Sequence, residues 1–454
     1  MQNHIAQNTK LILTPRRAAL LAGFDNQLDI LVRLQAPDAP GEAGKERPVY
    51  GIGLVIDHSG SMAGRPLEEA KRCAAFVVDR MRADDQISLV QFDNRVGILC
   101  PAKPKSDGRE LLQAIASICE GGTTDLHGGW RAGADSLANM VIAAGLRRVI
   151  LLSDGCANEG ITDTDAITEQ CRELAAKGVT TSTYGLGNHF NEELMVAMAT
   201  GGQGNHYYGD TADDLMEPFQ EEFDLLANLC LKGLTLTASV PSGATVELLN
   251  HYPGDAQQGW RLPDVAWGAE AWAVLRIRLP KGMLPTEGKS LPCIEVSLKG
   301  SDLDGNSITL LPEGVALPAL NSTALAAVAE DELVVRRLAE LEAAGVLTRT
   351  REAARNNDWD RVDRLLEEAE RRFAGNDWVA SVVEAIRTVA SSRSRARFMK
   401  EALYSASSFS QRLAEKDEGI ALMESSKAMY LRRKRSRGKA EFPPANDTPT
   451  GGRQ

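Results

Sequence analysis

Between residues 49 and 230 the chain alternates short, continuous apolar runs with stretches whose apolar positions recur every three or four residues. Val49–Ile56, Gln86–Phe92, residues 148–153 and Val179–Tyr184 read as strands, and Val96–Cys100 and His206–Tyr208 as shorter ones. The runs in Val49–Ile56 and residues 149–152 are nearly unbroken, as expected of strands buried on both faces. A helix over 66–82 begins with Pro66 in its first turn. Leu67, Ala70, Ala74, Val77, Val78 and Met81 then fall on one face. Further helices are predicted at about 108–119, 127–141, 163–177, 191–199 and 211–231. Such alternation of strand and helix predicts a mostly parallel, doubly wound α/β sheet.

The flanks carry a different period. In Gln27–Gln35, Leu28, Ile30, Val32 and Leu34 share one face, and residues 37–48 are broken by Pro37, Pro40, Gly41, Gly44 and Pro48. After residue 230 the two-residue alternation returns. Leu234, Leu236, Ala238 and Val240 share a face, as do Ala273, Leu275, Ile277 and Leu279, and Ile294, Val296 and Leu298. A lone N-terminal strand has no other way to satisfy its backbone, so it is expected to pair with the later strands. The pattern predicts a β-sandwich split by insertion of the α/β domain. From about residue 320 the chain turns helical, with Val362, Leu365, Leu366, Ala369 and Phe373 as one stripe. Asn357-Asp358-Trp359 recurs as Asn376-Asp377-Trp378, read as two Asp caps each followed by an anchoring Trp. The resulting map is 1–48 for the N-terminal part of the sandwich, 49–230 for the α/β domain and 231–317 for the rest of the sandwich. An α-helical domain follows over 318–437, and a disordered tail over 438–454 is marked by Pro443, Pro444, Pro449, Gly451 and Gly452.

At 454 residues, 43% hydrophobic and 25% charged, the chain is long enough for two to four domains with full cores. A net charge of −11 argues against general nucleic-acid affinity. No stretch approaches the roughly 18 apolar residues of a membrane span. The first residues lack a signal-peptide pattern, and the apolar run after Arg16-Arg17 is short and soon meets Asp25 and Asp29. The seven cysteines are scattered, odd in number and without Cys-x-x-Cys spacing. That usage suits reduced thiols and predicts a cytoplasmic protein.

Three segments carry candidate chemistry. Asp57-His58-Ser59-Gly60-Ser61 follows the first apolar strand, Gly121-Gly122-Thr123-Thr124-Asp125 is a glycine-rich loop, and Ser153-Asp154-Gly155 ends a second apolar strand. Oxygen donors at the carboxyl ends of parallel strands lie where α/β sheets bind ligands, and hard divalent cations prefer such donors. Asp-x-Ser-x-Ser, then Gly-Gly-Thr, then an apolar strand ending Ser-Asp-Gly resembles the metal-ion-dependent adhesion site of the von Willebrand factor type A domain. The resemblance covers roughly residues 49 to 230. It implies Rossmann-like topology with Val96–Cys100 as an antiparallel edge strand. It also implies a metal site of Asp57, Ser59, Ser61, Thr123 and Asp154, with Thr124 as the alternative threonine. Mg²⁺ is the expected ion and Mn²⁺ a substitute. The open coordination position would take a Glu or Asp from a partner protein. Bacterial intracellular relatives of this kind accompany AAA-type ATPases or kinase–phosphatase pairs, so the resemblance implies a non-enzymatic adaptor. The site is expected to be a surface loop cluster whose substitution leaves stability little changed.

Other features read more plainly. His58 and His127 are expected to be ordinary surface histidines, Asp84-Asp85 a turn, and Asp302-Leu303-Asp304-Gly305-Asn306 a hairpin turn. The basic run Arg432–Arg437 is read as a solvated helix end, with an anionic partner as the alternative. No Walker-type loop, Gly-x-Ser-x-Gly or His-Glu-x-x-His motif occurs. A metal-dependent phosphoester hydrolase is the competing reading, short of a second metal or an evident base. A scaffold whose helical region is the working surface is the third.

Overall fold

The computed structural model describes residues 2–39, 49–140, 145–186, 191–209, 211–411 and 413–416. The basic run 432–437 and the tail 438–454 lie outside the described residues. So does most of the loop 37–48.

At the centre is a six-stranded sheet in the order Val96–Pro104, Gln86–Phe92, Tyr50–Asp57, Leu146–Ser153, Val179–Leu186, Gln203–Gly209. Only the Val96–Pro104 edge strand is antiparallel. All eight residues of Tyr50–Asp57 are buried, because helices cover both faces of the sheet. On one side Ile52, Leu54 and Ile56 pack with helices Arg65–Arg80 and Ala212–Ala227. On the other, Val55, Val149 and Leu151 meet helices Leu126–Ala138, Thr164–Ala176 and Glu192–Gly201. Helix Leu126–Ala138 lies unusually close to the sheet through Gly129 and Gly133. A Cβ on Gly129 would fall 2.3 Å from the Phe92 ring, and one on Gly133 2.3 Å from Val55 Cγ2.

The predicted helix over 211–231 ends earlier, at Ala227 with Asn228 as its cap. Leu229 already begins the long strand Leu229–Ser239. Apolar spacing continued the helical pattern there, but the fully buried Leu229-Cys230-Leu231 run pairs in a sheet instead.

Two further sheets share one core. In the first, Asn26–Gln35 lies between Lys10–Pro15 and Ala269–Leu279, all antiparallel, with Gln35 opposite Glu270. In the second, Ser290–Ser301 runs between Leu229–Ser239 and Ser307–Leu320. Leu28, Ile30, Val32 and Leu34 meet Leu234, Leu236, Val296 and Leu298 across the interior. The N-terminal part holds more than the single alternating strand that periodicity picks out. Helix Gln2–Asn8 and strands Lys10–Pro15 and Leu20–Leu21 precede it. Lys10–Pro15 is a six-residue edge strand with one exposed and five half-buried positions, a weak pattern for a two-residue period.

The outer face of the first sheet is also covered. Leu31, Trp272 and Val274 pack against Val334 and Leu338 of helix Glu332–Arg355. Helices Trp359–Arg372, Asp377–Ser391 and Arg395–Gln411 complete this unit around Val362, Leu366, Val383, Ile386 and Phe398. The two Asn-Asp-Trp triplets differ in register. Asp358 caps its helix by accepting from the Arg361 N–H, whereas Asn376, not Asp377, caps the next by accepting from the Val379 N–H. Asn357 moreover sits at φ 58°, so the triplets are not structural copies.

The α/β unit is joined to its neighbours at both ends. At the amino ends of its strands Arg148 is buried and pairs with Glu222, while its Nε donates to Thr180 Oγ1 at 2.9 Å. Asp264 from the two-sheet unit lies 4.0 Å from the same guanidinium. Ser182 Oγ at 2.8 Å and Tyr207 Oη at 3.1 Å also donate to Glu222. Burial pushes the Glu222 carboxyl up, but Arg148 and the surrounding donors more than reverse this and hold it below the usual range. A cavity of about 180 Å³ opens beside this cluster, where Asn205, Tyr252, Arg261 and Tyr404 of all three units meet. Nearer the carboxyl ends, Arg351 and Arg355 of the helical unit hold Glu193.

Arg148→Met would leave Glu222 charged and buried without its cation. Removing one partner of a buried pair costs about 3–5 kcal/mol. The urea midpoint followed by circular dichroism should drop accordingly, and an unchanged midpoint would show that the pair contributes nothing.

Candidate functional site

The order of the central sheet reverses between Tyr50–Asp57 and Leu146–Ser153, since the chain leaves the first strand to one side and the second to the other. Loops after the two strands diverge there and leave a crevice at the carboxyl ends. Asp57 closes the first strand, fully buried. The chain then turns through Ser59 into a short 3₁₀ turn, Gly60–Met62. This turn folds the oxygens back together. The Ser59 N–H donates to Asp57 Oδ1 at 2.9 Å, and Ser59 Oγ lies 3.2 Å from Ser61 Oγ. From the neighbouring strand Ser153 Oγ donates to Asp57 Oδ2 at 2.6 Å and accepts from the Gly155 N–H at 2.8 Å. Asp154 follows, 5% exposed, with Oδ1 accepting from the Cys156 N–H at 3.1 Å.

The glycine-rich loop is tied to this pair by backbone bonds. The Gly60 N–H donates to Gly122 O, and the Gly121 N–H to His58 O, each at 2.7 Å. Asp93, in the turn after Gln86–Phe92, accepts from the Gly122 N–H at 2.9 Å. A Cβ on Gly121 would sit 2.3 Å from Asp93 Oδ2, so only glycine allows this approach. Thr123 is exposed and its hydroxyl donates to Glu159. Thr124 is buried, and its N–H donates to Asn158 Oδ1 at 2.8 Å. Asp125 then caps helix Leu126–Ala138 by accepting from the Gly128 N–H at 2.9 Å.

Burial pushes the Asp57 carboxyl up to about 6, against hydrogen bonds from Ser153 and Ser59, and the Asp154 carboxylate adds to the rise. The groups opposing burial are hydroxyls and an amide, not a cationic side chain. Asp93 differs. Burial raises it too, but the Gly122 and Arg95 N–H groups outweigh that and hold it below the ordinary range. This donor set could hold a divalent cation. Two carboxylates match its charge, and Ser59, Ser61 and Thr123 offer neutral oxygens of the kind Mg²⁺ accepts. Among the described residues no cluster of three or more His, Cys, Asp or Glu side chains forms an alternative centre.

Hydrogen bonds thus gather Asp57, Ser59 and Ser61 with Ser153-Asp154, and backbone bonds bring the Thr123 loop to their rim. The expectation of a surface cluster is corrected, because Asp57, Ser59 and Asp154 are buried and only Ser61 and Thr123 are exposed. His58 is likewise no surface histidine. It is 8% exposed and its Nδ1–H donates to Cys119 O at 2.7 Å, bracing the loop. His127 is half-buried with Nε2 3.0 Å from Gln170 Oε1. Sequence reasoning quoted Ser153 in the motif without giving it a role and passed over Asp93 and Glu159. Ser153 was visible as the residue before Asp154, whereas Asp93 and Glu159 reach the site only through folding of their turns.

Residues 52–222 match the family model of the von Willebrand factor type A domain. An uncharacterized protein of Synechocystis is 29% identical over 209 residues, which are 45% of this chain and 47% of that protein. The uncharacterized protein YfbK of Escherichia coli is 30% identical over 186 residues, 40% of this chain and 32% of its own length. Human inter-alpha-trypsin inhibitor heavy chain H3 is 28% identical over 209 residues, 43% of this chain and 23% of the human one. The match thus spans about half or less of these curated relatives. Two solved structures extend the likeness in fold to the flanking units. A von Willebrand factor type A protein from Catenulispora acidiphila superposes with a TM-score of 0.64 at 16% identity, covering 85% of this chain and 91% of that one. The ArnB paralog VWA2 from Sulfolobus acidocaldarius gives 0.60 at 18% identity, covering 88% and 99%.

Ser153→Ala should test the positioning of Asp57. It removes the 2.6 Å donor from a buried carboxylate, which costs about 1–3 kcal/mol. Loss of such an orienting partner should also weaken Mg²⁺ binding about tenfold in calorimetry. Wild-type affinity and melting temperature in this variant would remove Ser153 from the site.

Proposed function

With residues 52–222 a von Willebrand factor type A domain, we propose that this chain is a Mg²⁺-dependent protein-binding adaptor. Asp57, Ser59, Ser61, Thr123 and Asp154 form its metal-ion-dependent adhesion site, and Mn²⁺ substitutes for Mg²⁺. The ion's remaining coordination position takes a Glu or Asp side chain of a partner protein. The observation that carries this reading is the buried Asp57 carboxylate, pushed up to about 6 at the switch point of the sheet and opposed only by neutral donors. A bound cation balances Asp57 and Asp154, and the hydroxyls complete coordination without adding charge. The ion therefore stays electrophilic toward an incoming carboxylate, and a charge-assisted contact of this kind contributes about 1.5–3 kcal/mol.

The flanking units fit a scaffold. The two sheets, built from both sides of the inserted domain as a split β-sandwich, grip its far end through Asp264. The helical unit leans on Glu193. Among the described residues neither unit buries Ser61 or Thr123, which leaves this face available to a partner such as an AAA-type ATPase or a kinase–phosphatase system. No helix among the described residues is long and apolar enough to cross a membrane. Five of the seven cysteines are buried, and the chain is assigned in this proposal to a reducing compartment such as the cytoplasm.

Ser61→Ala combined with Thr123→Ala tests the reading with little risk to the fold, since both side chains are exposed. Calorimetry should find one Mg²⁺ or Mn²⁺ per wild-type chain and at least a tenfold weaker affinity in the double variant. Capture of partner from native lysate should be lost with EDTA, restored by Mg²⁺ and absent in the variant. A partner held equally well in all these conditions would overturn the adhesion-site mechanism.

A further inference from the structure

Two opposite charges are only partly satisfied at the amino ends of the central strands. Asp264 is 7% exposed. Its Oδ1 accepts from the Gly233 N–H at 3.0 Å, but among the described residues no hydrogen bond reaches Oδ2, and Arg148 Nη2 stands 4.0 Å from it. Arg148 is already engaged with Glu222 through Nη1 and with Thr180 through Nε. Burial pushes the Asp264 carboxyl up, more than Arg148, the Gly233 N–H and Lys232 draw it down. Arg261 ends the short strand just before it. Its Nη1 donates to Thr235 Oγ1 at 2.7 Å and to Gly233 O at 3.5 Å, and among the described residues no carboxylate pairs with this guanidinium.

Both side chains line the cavity of about 180 Å³ where the three units meet. With Arg148 and Glu221 they give its wall two cations and two carboxylates, a balance that favours neither a simple anion nor a simple cation. Much of the remaining wall is apolar, with Leu225 from the α/β unit, Leu262 from the two-sheet unit and Leu413 after the last helix. An apolar pocket with a few convergent polar groups is the usual form of a small-molecule site. A cavity of about 150 Å³ holds benzene, so this one has room for a branched aliphatic or single-ring group. Arg261 and Asp264 also line a second cavity, of about 380 Å³, but its wall adds Lys232 and Lys299 and is biased toward anions.

We propose that the first cavity binds a zwitterion, an α-amino acid with an apolar side chain, its ammonium on Asp264 and its carboxylate on Arg261. Such a ligand supplies what each group lacks and leaves the net charge of the wall unchanged. The ammonium donates to Oδ2, which satisfies a buried acceptor. The carboxylate accepts from Arg261 Nη2 and Nε, a fork that suits two parallel hydrogen bonds. The side chain of the ligand displaces water from Leu225, Leu262 and Leu413. Because the wall is drawn from all three units, the occupant also ties them together. The site lies at the opposite end of the strands from Asp57 and does not depend on the metal.

Ligand-observed NMR titration of the full-length chain tests this, with L-leucine and L-phenylalanine as probes. Each should bind with a dissociation constant of about 1 mM or tighter. Isoamylamine is leucine without its carboxylate, and isocaproate is leucine without its ammonium. Both should bind at least about tenfold more weakly than leucine. Arg261→Gln, at a half-buried position, should weaken leucine about tenfold and leave isoamylamine at its wild-type affinity. Asp264→Asn should weaken leucine and leave isocaproate unchanged. If that variant does not fold, Arg261→Gln decides alone. Failure of both amino acids to bind would overturn the inference. So would equal affinity for leucine and isoamylamine, or wild-type leucine affinity in Arg261→Gln. Leucine affinity should be the same in Mg²⁺ and in EDTA, so the adhesion-site reading stands or falls separately.

Discussion

A carboxylate buried at the end of the central strand, with only neutral donors to oppose its desolvation, is the constraint on which the rest of the α/β unit depends. Asp57 cannot move toward water, because all eight residues of its strand are buried between two helical layers. Its surroundings are therefore built to hold it. Ser59 and Ser153 donate to its two oxygens, and Ser153 is itself fixed by Gly155. The Gly121-Gly122 loop closes over this core by hydrogen bonds that only glycine's close approach allows. A buried carboxylate without partners is destabilising, and these donors give each Asp57 oxygen a hydrogen bond.

The other polar cluster has the opposite design. Arg148 and Glu222 neutralise one another within the protein, Thr180 accepts from the guanidinium, and Ser182 and Tyr207 on the next two strands donate to the carboxylate. One end of the sheet thus carries an ion pair neutralised within the protein, while the other carries the Asp57 and Asp154 carboxylates without a cationic side chain against Asp57. Tyr208 and Tyr404, in edge-on contact at 6.4 Å, add an apolar seam between the last strand and the helical unit.

Much of this was legible in the chain. Nearly continuous apolar runs marked Tyr50–Asp57 and Leu146–Ser153, and the alternation of Leu28, Ile30, Val32 and Leu34 marked one face of a strand that needed a distant partner. The motif residues lay at strand ends where chemistry is expected. What periodicity could not carry were features without a repeat. The half-buried edge strand Lys10–Pro15 has too weak a pattern, and the end of helix Ala212–Ala227 is hidden by apolar residues that continue into a strand. Burial of Asp57 and His58 was missed for a related reason. Polar motif residues look like surface loop, and only the closed sheet and the bond from His58 to Cys119 place them inside. Glu159 is the clearest case, since its position depends on a loop reversal at Gly160 rather than on any spacing.

The pairing of Asn26–Gln35 with Ala269–Leu279 has a consequence for synthesis. Gln35 and Glu270, joined by a hydrogen bond, are 235 residues apart. At a translation rate of roughly 5–20 residues per second, the first strand waits about ten to fifty seconds for its neighbour to be made. The whole α/β unit is completed within that interval, so it folds while the pair Lys10–Pro15 and Asn26–Gln35 trails beside it with the edge that meets Ala269–Leu279 uncovered. The first contact made across the insertion is then a late, entropically slow closure. Until it forms, the nascent chain carries a sheet edge that other chains can claim.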